Sequence, residues 1–329
     1  MPLSRHPIAA LAAFAWLASS ASPGFPAEWN QVVFREDFAG SGAPDPADWI
    51  VNHPGSFWWL QGRTQFPDPG TTTGPFPYVQ GGVCIIEHHL YNPWDLAEVN
   101  VAFLGGEIRT QREFEPDRAW RIEARVKSDV YPDGLVSSFF SYGFDGSNAD
   151  EIDFEFVSKQ TNDAVTWPGG DPVLTNPWNE SVEKPEYVAP DGLDVSGWNT
   201  FRIYWDPVLR RVDWTWLDPV HGETTLRSET LASAVPDEAM QLYFNFWAPN
   251  ASWGDAYSAS LQPVSDPGQN VIWRYRIDWI EVRSQGPAAA PVPLLPGWGA
   301  VVIGGVVLVL LSAGPIRRGS GPSRAPPGE

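Results

Sequence analysis

Hydrophobic and polar residues alternate with a period of two along most of the chain. In the segment AWRIEARVK, the residues Trp120, Ile122, Ala124 and Val126 fall on one face, and the charged residues fall on the other. The segments FRIYW, VDWTW, MQLYFNFW and WRYRIDWIEV repeat this pattern. Because successive side chains of a β-strand point to opposite faces, the period predicts antiparallel strands with one buried face.

Turn-forming sequences such as YPDG, SGWN and DPG separate the alternating segments, and the 33 prolines and 30 glycines of the chain suit such turns. Between residues 28 and 283, no long stretch has the apolar period of an amphipathic helix. The sequence therefore predicts an all-β fold, a β-sandwich of two antiparallel sheets. We place this single domain at residues 28–285.

The two ends of the chain differ from the middle. Residues 1–21 combine Arg5, the apolar run IAALAAFAWLA and small residues, which predicts a secretory signal peptide cleaved after Ala21. Residues 286–329 begin with the linker GPAAAPVPLLP and continue into an apolar segment at 297–314 that is followed by two arginines. This segment is long enough for a short membrane helix.

The tail resembles the C-terminal sorting signals that exosortase-type enzymes process in Gram-negative bacteria. The resemblance rests on Val292, Pro293, Leu295, Trp298 and Gly299. It implies sorting machinery as a partner and a tail that is removed, whereas a plain membrane anchor is the alternative. Both interpretations place the folded domain outside the cytoplasm: in the periplasm, on the cell surface or secreted.

The predicted domain is strongly acidic. Residues 28–283 hold 17 basic and 39 acidic residues, which gives a formal charge of −22. Because this charge repels phosphates, we expect no nucleic acid or anionic lipid as a partner, and a neutral or cationic ligand instead. Cys84 is the one cysteine, so no intrachain disulfide can form, and the histidines lack the spacing of a zinc site.

The segment ADEIDFEF carries the candidate chemistry. Glu151, Asp153 and Glu155 share one face of the predicted strand and alternate with large apolar residues. Adjacent carboxylates repel one another and raise each other's pKa, which is unfavourable unless the charges have a use. Calcium binding is one use, but calcium ligands come mainly from loops. Glycoside hydrolysis suits the pattern better, because it needs one ionised and one protonated carboxyl group beside a sugar–oxygen bond.

The segment DEIDFEF resembles the Glu-x-Asp-x-Glu motif of glycoside hydrolase family 16, whose members are β-jelly-roll enzymes. The segments GGEIRT, GLVSSFFSYGFDG, FRIYWDP, LYFNFWAPNASWGD and RIDWIEV resemble further parts of the family in the same order. The likeness covers about residues 32–283. It implies a jelly roll whose concave face forms the substrate cleft.

The resemblance implies a role for each acid. Glu151 is expected to be the nucleophile and Glu155 the acid, then the base. Asp153 is expected to orient Glu151 and to help keep Glu155 protonated. Positions four apart on a straight strand lie about 13 Å apart at Cα, whereas a retaining pair needs about 5–5.5 Å between its carboxyl groups. The spacing alone leaves the stereochemistry open, and retention is implied by the family.

The motif also bears on the substrate. Laminarinase-like members of the family usually carry one more residue between the aspartate and the last glutamate. The compact spacing here resembles that of lichenases and xyloglucan transglycosylases, so we expect endo-acting hydrolysis of a β-1,3-1,4- or related β-glucan. Lichenases often carry a tryptophan where this chain has Ala149, which leaves the exact polysaccharide open.

The family resemblance implies further contacts to a polysaccharide. Trp247 and Trp253 are expected to stack on sugar rings, with core packing as the alternative. Asn245 is expected to hydrogen-bond a sugar hydroxyl. Arg109 is expected to support the nucleophile or a sugar, with a structural salt bridge as the alternative. Trp58, in the segment GSFWWLQG, is a candidate for the rim of the cleft.

The chemistry requires no cofactor. Asp37 and Asp278 match the places where many family members hold a structural calcium, and two solvated carboxylates are the alternative. Such an ion would stabilise the fold and take no part in the reaction. We expect a monomer. Two other functions fit the same scaffold: a transglycosylase, and a non-catalytic carbohydrate-binding surface protein, which would usually have lost one of the three acids.

Overall fold

A computed structural model describes residue 29 and residues 31–52, 58–69, 77–93, 103–220 and 222–285, with the side chains of residues 58–61 outside that description. The predicted signal peptide at 1–21 and the predicted linker and tail at 286–329 lie outside the described residues and stay predictions. Among the described residues, no helix has the length and apolar character needed to cross a bilayer.

Strands dominate the described chain. They are β1 (Gln31–Glu36), β2 (Ser41–Gly42), β3 (Trp49–Val51), β4 (Trp58–Gln61), β5 (Thr64–Pro67), β6 (Tyr78–Gln80), β7 (Val83–His89), β8 (Phe103–Leu104), β9 (Gly106–Thr110), β10 (Trp120–Ser128), β11 (Val136–Phe144), β12 (Ala149–Val157), β13 (Val173–Asn179), β14 (Val182–Glu183), β15 (Glu186–Val188), β16 (Asn199–Asp206), β17 (Arg211–Asp218), β18 (Gly222–Glu229), β19 (Gln241–Trp247) and β20 (Ile272–Ser284). The described helices are one turn each: α1 (Ser158–Thr161) and a 3₁₀ turn (Pro267–Gln269).

The strands form two sheets, as the alternation predicts. The larger sheet has the order β18-β17-β16-β10-β20-β7-β8-β5-β4, with β1 pairing with β20 and β6 linking β2 to β7. The smaller sheet has the order β14-β13-β12-β11-β19-β9-β3, with β15 pairing with β13. Among the described strands, the neighbours pair antiparallel except for β5 and β8, which are parallel. The prediction of an all-β sandwich is confirmed.

The core lies between the two sheets. From β12, the apolar residues Ile152, Phe154 and Phe156 are buried in it, and β17 contributes Trp214 and Trp216 from the opposite sheet. The indole Nε1 of Trp214 donates to the backbone oxygen of Asp153 at 2.8 Å. The apolar face of β12 therefore fixes the strand from behind, and its three acids must point to the outer face of the smaller sheet.

Candidate active site

Three cross-strand rows place the polar residues of the outer face. The row through Glu155 pairs it with Ser138 on β11, which pairs with Asn245 on β19 and then with Glu107 on β9. The hydroxyl of Ser138 donates to Glu155 Oε1 at 3.4 Å. Antiparallel pairing thus brings residues that lie far apart in sequence beside Glu155.

The row through Asp153 joins it to Phe140 and Tyr243 on one side and to Asn176 on the other. Asn176 Nδ2 donates to Asp153 Oδ2 at 3.0 Å, and Asn176 Oδ1 accepts from the backbone N–H of Lys184 at 3.1 Å. The second bond fixes which way the amide points. The Asn176 side-chain N–H group is therefore kept pointing at the Asp153 carboxyl group.

The row through Glu151 contains Tyr142 and Gln241 on one side and Trp178 and Glu183 on the other. Tyr142 packs edge-on against Tyr243, with ring centroids 5.9 Å apart. The aromatic rings of Tyr142 and Tyr243 therefore lie on the β11 side of Glu151, and the half-buried indole of Trp178 lies on the β13 side.

These rows form the floor of a cleft of about 740 Å³. Glu151 and Glu155 both line it and are partly exposed, whereas Asp153 lies beneath them and is 4% exposed. A ligand in the cleft can reach the two glutamates, while Asp153 acts only through them. The predicted grouping of the three acids on one open face is what the structure has.

The pKa values of the three acids are all raised, first by burial and then by neighbouring negative charges. Burial first, and then the charges of Glu183 and Glu107, raise the pKa of Glu151 to about 7, against a hydrogen bond with Asp153 that lowers it. Burial, then the charge of Glu151, raises the pKa of Glu155 to about 8. Because the charge of Glu151 raises the pKa of Glu155, one of the two can be ionised near neutral pH while the other is protonated.

Asp153 is the acid whose environment disfavours its charge most. Burial and the charges of Glu151 and Glu155 raise the pKa of Asp153 well above its usual range, although Asn176 partly opposes this. Among the described residues, Asp153 Oδ1 is buried without a donor facing it. A proton on this carboxyl group turns it into a donor to Glu151. Asp153 then orients Glu151 and stabilises its ionised form.

We expect Asp153→Asn to raise the melting temperature at pH 8 and to leave it nearly unchanged at pH 4. Asparagine keeps an acceptor for Asn176 and a donor for Glu151, and it removes the ionisable group. At pH 4 the folded carboxyl group is protonated and the unfolded one is about half ionised, so ionisation of the unfolded chain still costs little stability. Above that pH the unfolded chain ionises freely while the folded chain does not, so wild-type stability falls as the pH rises towards the folded pKa.

The measurement is a pair of thermal melts at the two pH values, with Asp163→Asn as the control. Hydrogen bonds from Thr166 lower the pKa of Asp163, so its substitution gives no gain at pH 8. A melting temperature for Asp153→Asn at pH 8 that is equal to or below that of the wild type contradicts the raised pKa of Asp153.

The structure brings three of the five predicted substrate contacts into the cleft: Asn245, Trp247 and Arg109. Asn245 Oδ1 and Trp247 Nε1 are buried without a hydrogen-bond partner among the described residues, so both can serve a ligand. Arg109 Nη1 donates to the hydroxyl of Tyr243 at 3.0 Å. This hydrogen bond of Arg109 therefore goes to a phenol oxygen, and its support of the nucleophile or a sugar stays a prediction.

The other two predicted contacts are placed differently. Trp253 packs against Trp247, with ring centroids 5.7 Å apart, and it is not among the residues that line the cleft. Trp253 thus packs beside a residue of the cleft, and its own stacking on a sugar stays a prediction. Trp58 begins β4, but its side chain lies outside the described residues, and its place at the rim stays a prediction.

Sequence reasoning missed several residues that the rows bring to the acids: Ser138, Tyr142, Asn176, Trp178 and Tyr243. The signal for Ser138 and Tyr142 was available, because they alternate with buried residues in GLVSSFFSYGFDG as the acids do in β12. Tyr243 alternates likewise with Asn245 and Trp247 in LYFNFW, but no local signal places Asn176 or Tyr243 beside Asp153. Their positions follow from strand register, which depends on pairing between distant segments.

The two candidate calcium ligands each face an arginine. Asp37 follows β1 and binds Arg35 through Oδ1 at 2.8 Å. Asp278 lies at a bulge of β20, between the paired residues Ile277 and Trp279, and its carboxylate binds Arg125. Among the described residues, no three metal-ligating side chains gather. The calcium site stays a prediction, and any ion at these acids must compete with two guanidinium groups.

Comparisons with known proteins agree with this geometry. The model of glycosyl hydrolases family 16 matches residues 95–281, more than half of the chain. A β-glucanase of Bacillus licheniformis is 27% identical over 143 residues, which cover 43% of this chain and 51% of that protein. The chain thus spans about half the length of this curated relative.

Solved structures of other glucanases share the fold. A lichenase from a mouse hindgut metagenome superimposes with a TM-score of 0.54 at 19% identity, over 76% of this chain and 97% of that one. The catalytic domain of a laminarinase from Thermotoga petrophila gives a TM-score of 0.55 at 16% identity, over 78% and 98%. At these identities the likeness establishes the jelly-roll fold.

Proposed function

The chain belongs to glycosyl hydrolase family 16, and on that premise we propose that it is an exported, endo-acting hydrolase of β-glucan that works with retention of configuration. The observation that carries this proposal is the placement of Glu151 and Glu155 on the floor of one cleft, with buried Asp153 between them on the same strand. The charge of an ionised Glu151 raises the pKa of Glu155, which favours the protonated form that an acid needs.

The first half of the proposed reaction breaks the glycosidic bond. The ionised Glu151 attacks the anomeric carbon and forms a glycosyl ester. The leaving oxygen takes its proton from Glu155 as its bond to that carbon breaks. Asp153, protonated and held by Asn176, donates to Glu151 and so keeps its attacking oxygen aligned.

The second half releases the sugar. Glu155, now ionised, removes a proton from water, whose oxygen attacks the anomeric carbon. The ester bond breaks, Glu151 leaves as a carboxylate, and Glu155 is again protonated. Two displacements at one carbon restore the original configuration. A sugar hydroxyl in place of water would give transglycosylation.

The charge of the cleft supports an uncharged glycan as the substrate. Its described lining includes Glu107, Glu113, Glu238 and the two reacting glutamates, against Arg109 as the basic side chain. Repulsion from these carboxylates disfavours sulfated or uronic polymers. The lining also supplies aromatic surface, and Asn245 and Trp247 supply polar atoms for hydroxyl groups.

Two observations support a mixed-linkage β-glucan within this class. The compact spacing of Asp153 and Glu155 resembles that of lichenases, and the curated relative is described as a β-glucanase. The laminarinase that shares the fold makes β-1,3-glucan the nearest alternative. Export is proposed from the signal-like residues 1–21, and the tail at 286–329 is proposed to act as a sorting signal or an anchor.

We expect the protein to release reducing sugar from barley β-glucan faster than from laminarin or xyloglucan, and to release none from carrageenan or agarose. The measurement is a reducing-sugar assay on these five polymers, with Glu151→Gln as the control. If the wild type and Glu151→Gln released reducing sugar at equal rates, Glu151 could not be the nucleophile. Preferential cleavage of carrageenan would contradict the neutral-glycan proposal and leave the family untouched.

A further inference from the structure

Phe144 ends β11 and is 60% exposed. Single exposed apolar residues are common on protein surfaces and need no function. Phe144 differs from these because it lines the same cleft as Glu151 and Glu155. Its ring is therefore presented to whatever the cleft binds.

Phe144 is the last member of an aromatic row along β11. Phe140, Tyr142 and Phe144 occupy alternate positions and share the outer face. Phe140 stacks on Tyr243 with ring centroids 5.0 Å apart, and Tyr142 meets the same ring edge-on. The partner strand β19 begins at Gln241, opposite Tyr142, so Phe144 extends beyond it. The rings of Phe140 and Tyr142 therefore pack against Tyr243, whereas the ring of Phe144 is exposed.

The residues around Phe144 leave its ring face clear. Its cross-strand partner is Ala149, whose methyl group cannot cover a phenyl ring. On the other edge of β11, a Cβ atom on Gly143 would lie 2.2 Å from the backbone oxygen of Ala239. Because Gly143 has no side chain, the backbone at Ala239 lies close to β11, and the exposed residue Glu238 next to it lines the side of the cleft. Phe144 therefore lies on the floor of the cleft with the Glu238 carboxylate beside it.

We propose that Phe144 is a substrate-binding residue that stacks on a sugar ring of the polysaccharide one unit away from the site of cleavage. Phe144 pairs with Ala149, two positions before Glu151, so its row lies about 7 Å from that of the nucleophile. At that distance Phe144 faces a sugar beside the one that Glu151 attacks. The proposal rests on the proposed function and adds a specificity-determining residue to it.

The side chains around Phe144 suit the binding of an uncharged sugar. A pyranose ring offers apolar C–H groups on its face and hydroxyl groups at its edge. Phe144 supplies a flat apolar surface, and Asp145 and Glu238 supply acceptors beside it. The same carboxylates repel a sulfate or uronate at this position. Phe144 therefore favours a polymer whose unit next to the cleaved bond is uncharged.

The test compares Phe144→Ala and Phe144→Trp with the wild type on barley β-glucan. We expect Phe144→Ala to raise KM about tenfold with kcat nearly unchanged, because it removes binding that is equal in the ground and transition states. Phe144→Trp restores the wild-type KM. In affinity electrophoresis through the same polymer, Phe144→Ala migrates faster than the wild type. Leu209→Ala is the matched control, since Leu209 is 72% exposed in the turn between β16 and β17.

Each outcome bears on the proposal. An unchanged KM and unchanged mobility for Phe144→Ala overturn it, even if Glu151→Gln has lost activity and the proposed function stands. A fall in kcat together with a lowered melting temperature shows a structural role and also overturns it. A wild-type protein that neither binds nor cleaves any neutral glucan overturns the proposed function and this inference together. Electrophoresis remains decisive if the protein binds without cleaving.

Discussion

Replacing Glu151 by glutamine is expected to lower kcat on β-glucan by about 10⁴-fold or more. The amide of glutamine is close in shape to the carboxyl group but cannot form the glycosyl ester. Since Glu151 is partly exposed on the cleft floor, the change leaves the core untouched, and polymer binding should persist. The measurement is kcat from initial rates, with affinity electrophoresis on the same polymer to show that binding is retained.

Glu183→Gln is the matched control for this loss. Glu183 lies in the same cross-strand row as Glu151, two strands away, and it is exposed. Its charge raises the pKa values of Glu151 and Glu155, so its removal should shift the pH profile to lower pH and leave the maximal rate nearly unchanged. A comparable loss of kcat in both variants would mean that the rate depends on the overall negative charge of this face. It would then give no evidence for a nucleophile at position 151.

Replacing Glu155 by glutamine is expected to lower kcat by about 10²–10⁴-fold on β-glucan, the range typical of a lost general acid and base. The loss in the first step should be much smaller for an aryl glycoside with a good leaving group, because such an oxygen departs without a proton. This dependence on the leaving group separates an acid at 155 from a residue that only shapes the cleft. Equal losses on both substrates would contradict the assignment.

The same variant should change the shape of the pH profile. Wild-type activity rises as the pH passes the pKa of Glu151, about 7, because the nucleophile must be ionised. It falls as the pH passes the pKa of Glu155, about 8, because the acid must be protonated. We therefore expect a narrow pH optimum between these values. In Glu155→Gln the alkaline fall should disappear while the acid rise stays.

The alternation of residues in β12 was enough to predict the outer face of the site. Ile152 and Phe154 had to enter a core, so Glu151, Asp153 and Glu155 had to point the other way. The buried side of the strand is in the core as expected. The sandwich followed from the same rule applied to the other strands. Local periodicity is reliable here because one face of each sheet is covered and the other is not.

The surroundings of the acids could not be predicted in the same way. Asn176 reaches Asp153 only because β13 pairs with β12 in one particular register. Phe144 is open because Ala149 lies across from it and β19 begins too late to cover it. Such features depend on pairings between distant segments, and a shift by one residue would reverse every side chain.

The ion-pair and hydrogen-bond partners of single charged residues could not be predicted from the sequence either. Asp37 and Asp278 looked like a pair that a cation could join, but each has an arginine within reach in the described structure. Arg109 looked like a partner of the nucleophile, yet it donates to Tyr243. Long basic side chains can reach several acids, and which one they meet is set by packing that a residue pattern does not contain.

Proton NMR of the first sugar released from barley β-glucan distinguishes retention from inversion. The retaining mechanism predicts that the β-anomer of the new reducing end appears first and then equilibrates with the α-anomer, since Glu151 and Glu155 carry out two successive displacements. It also predicts that Glu151→Gln produces no such signal. Initial appearance of the α-anomer, or the same β-signal from Glu151→Gln, would contradict it.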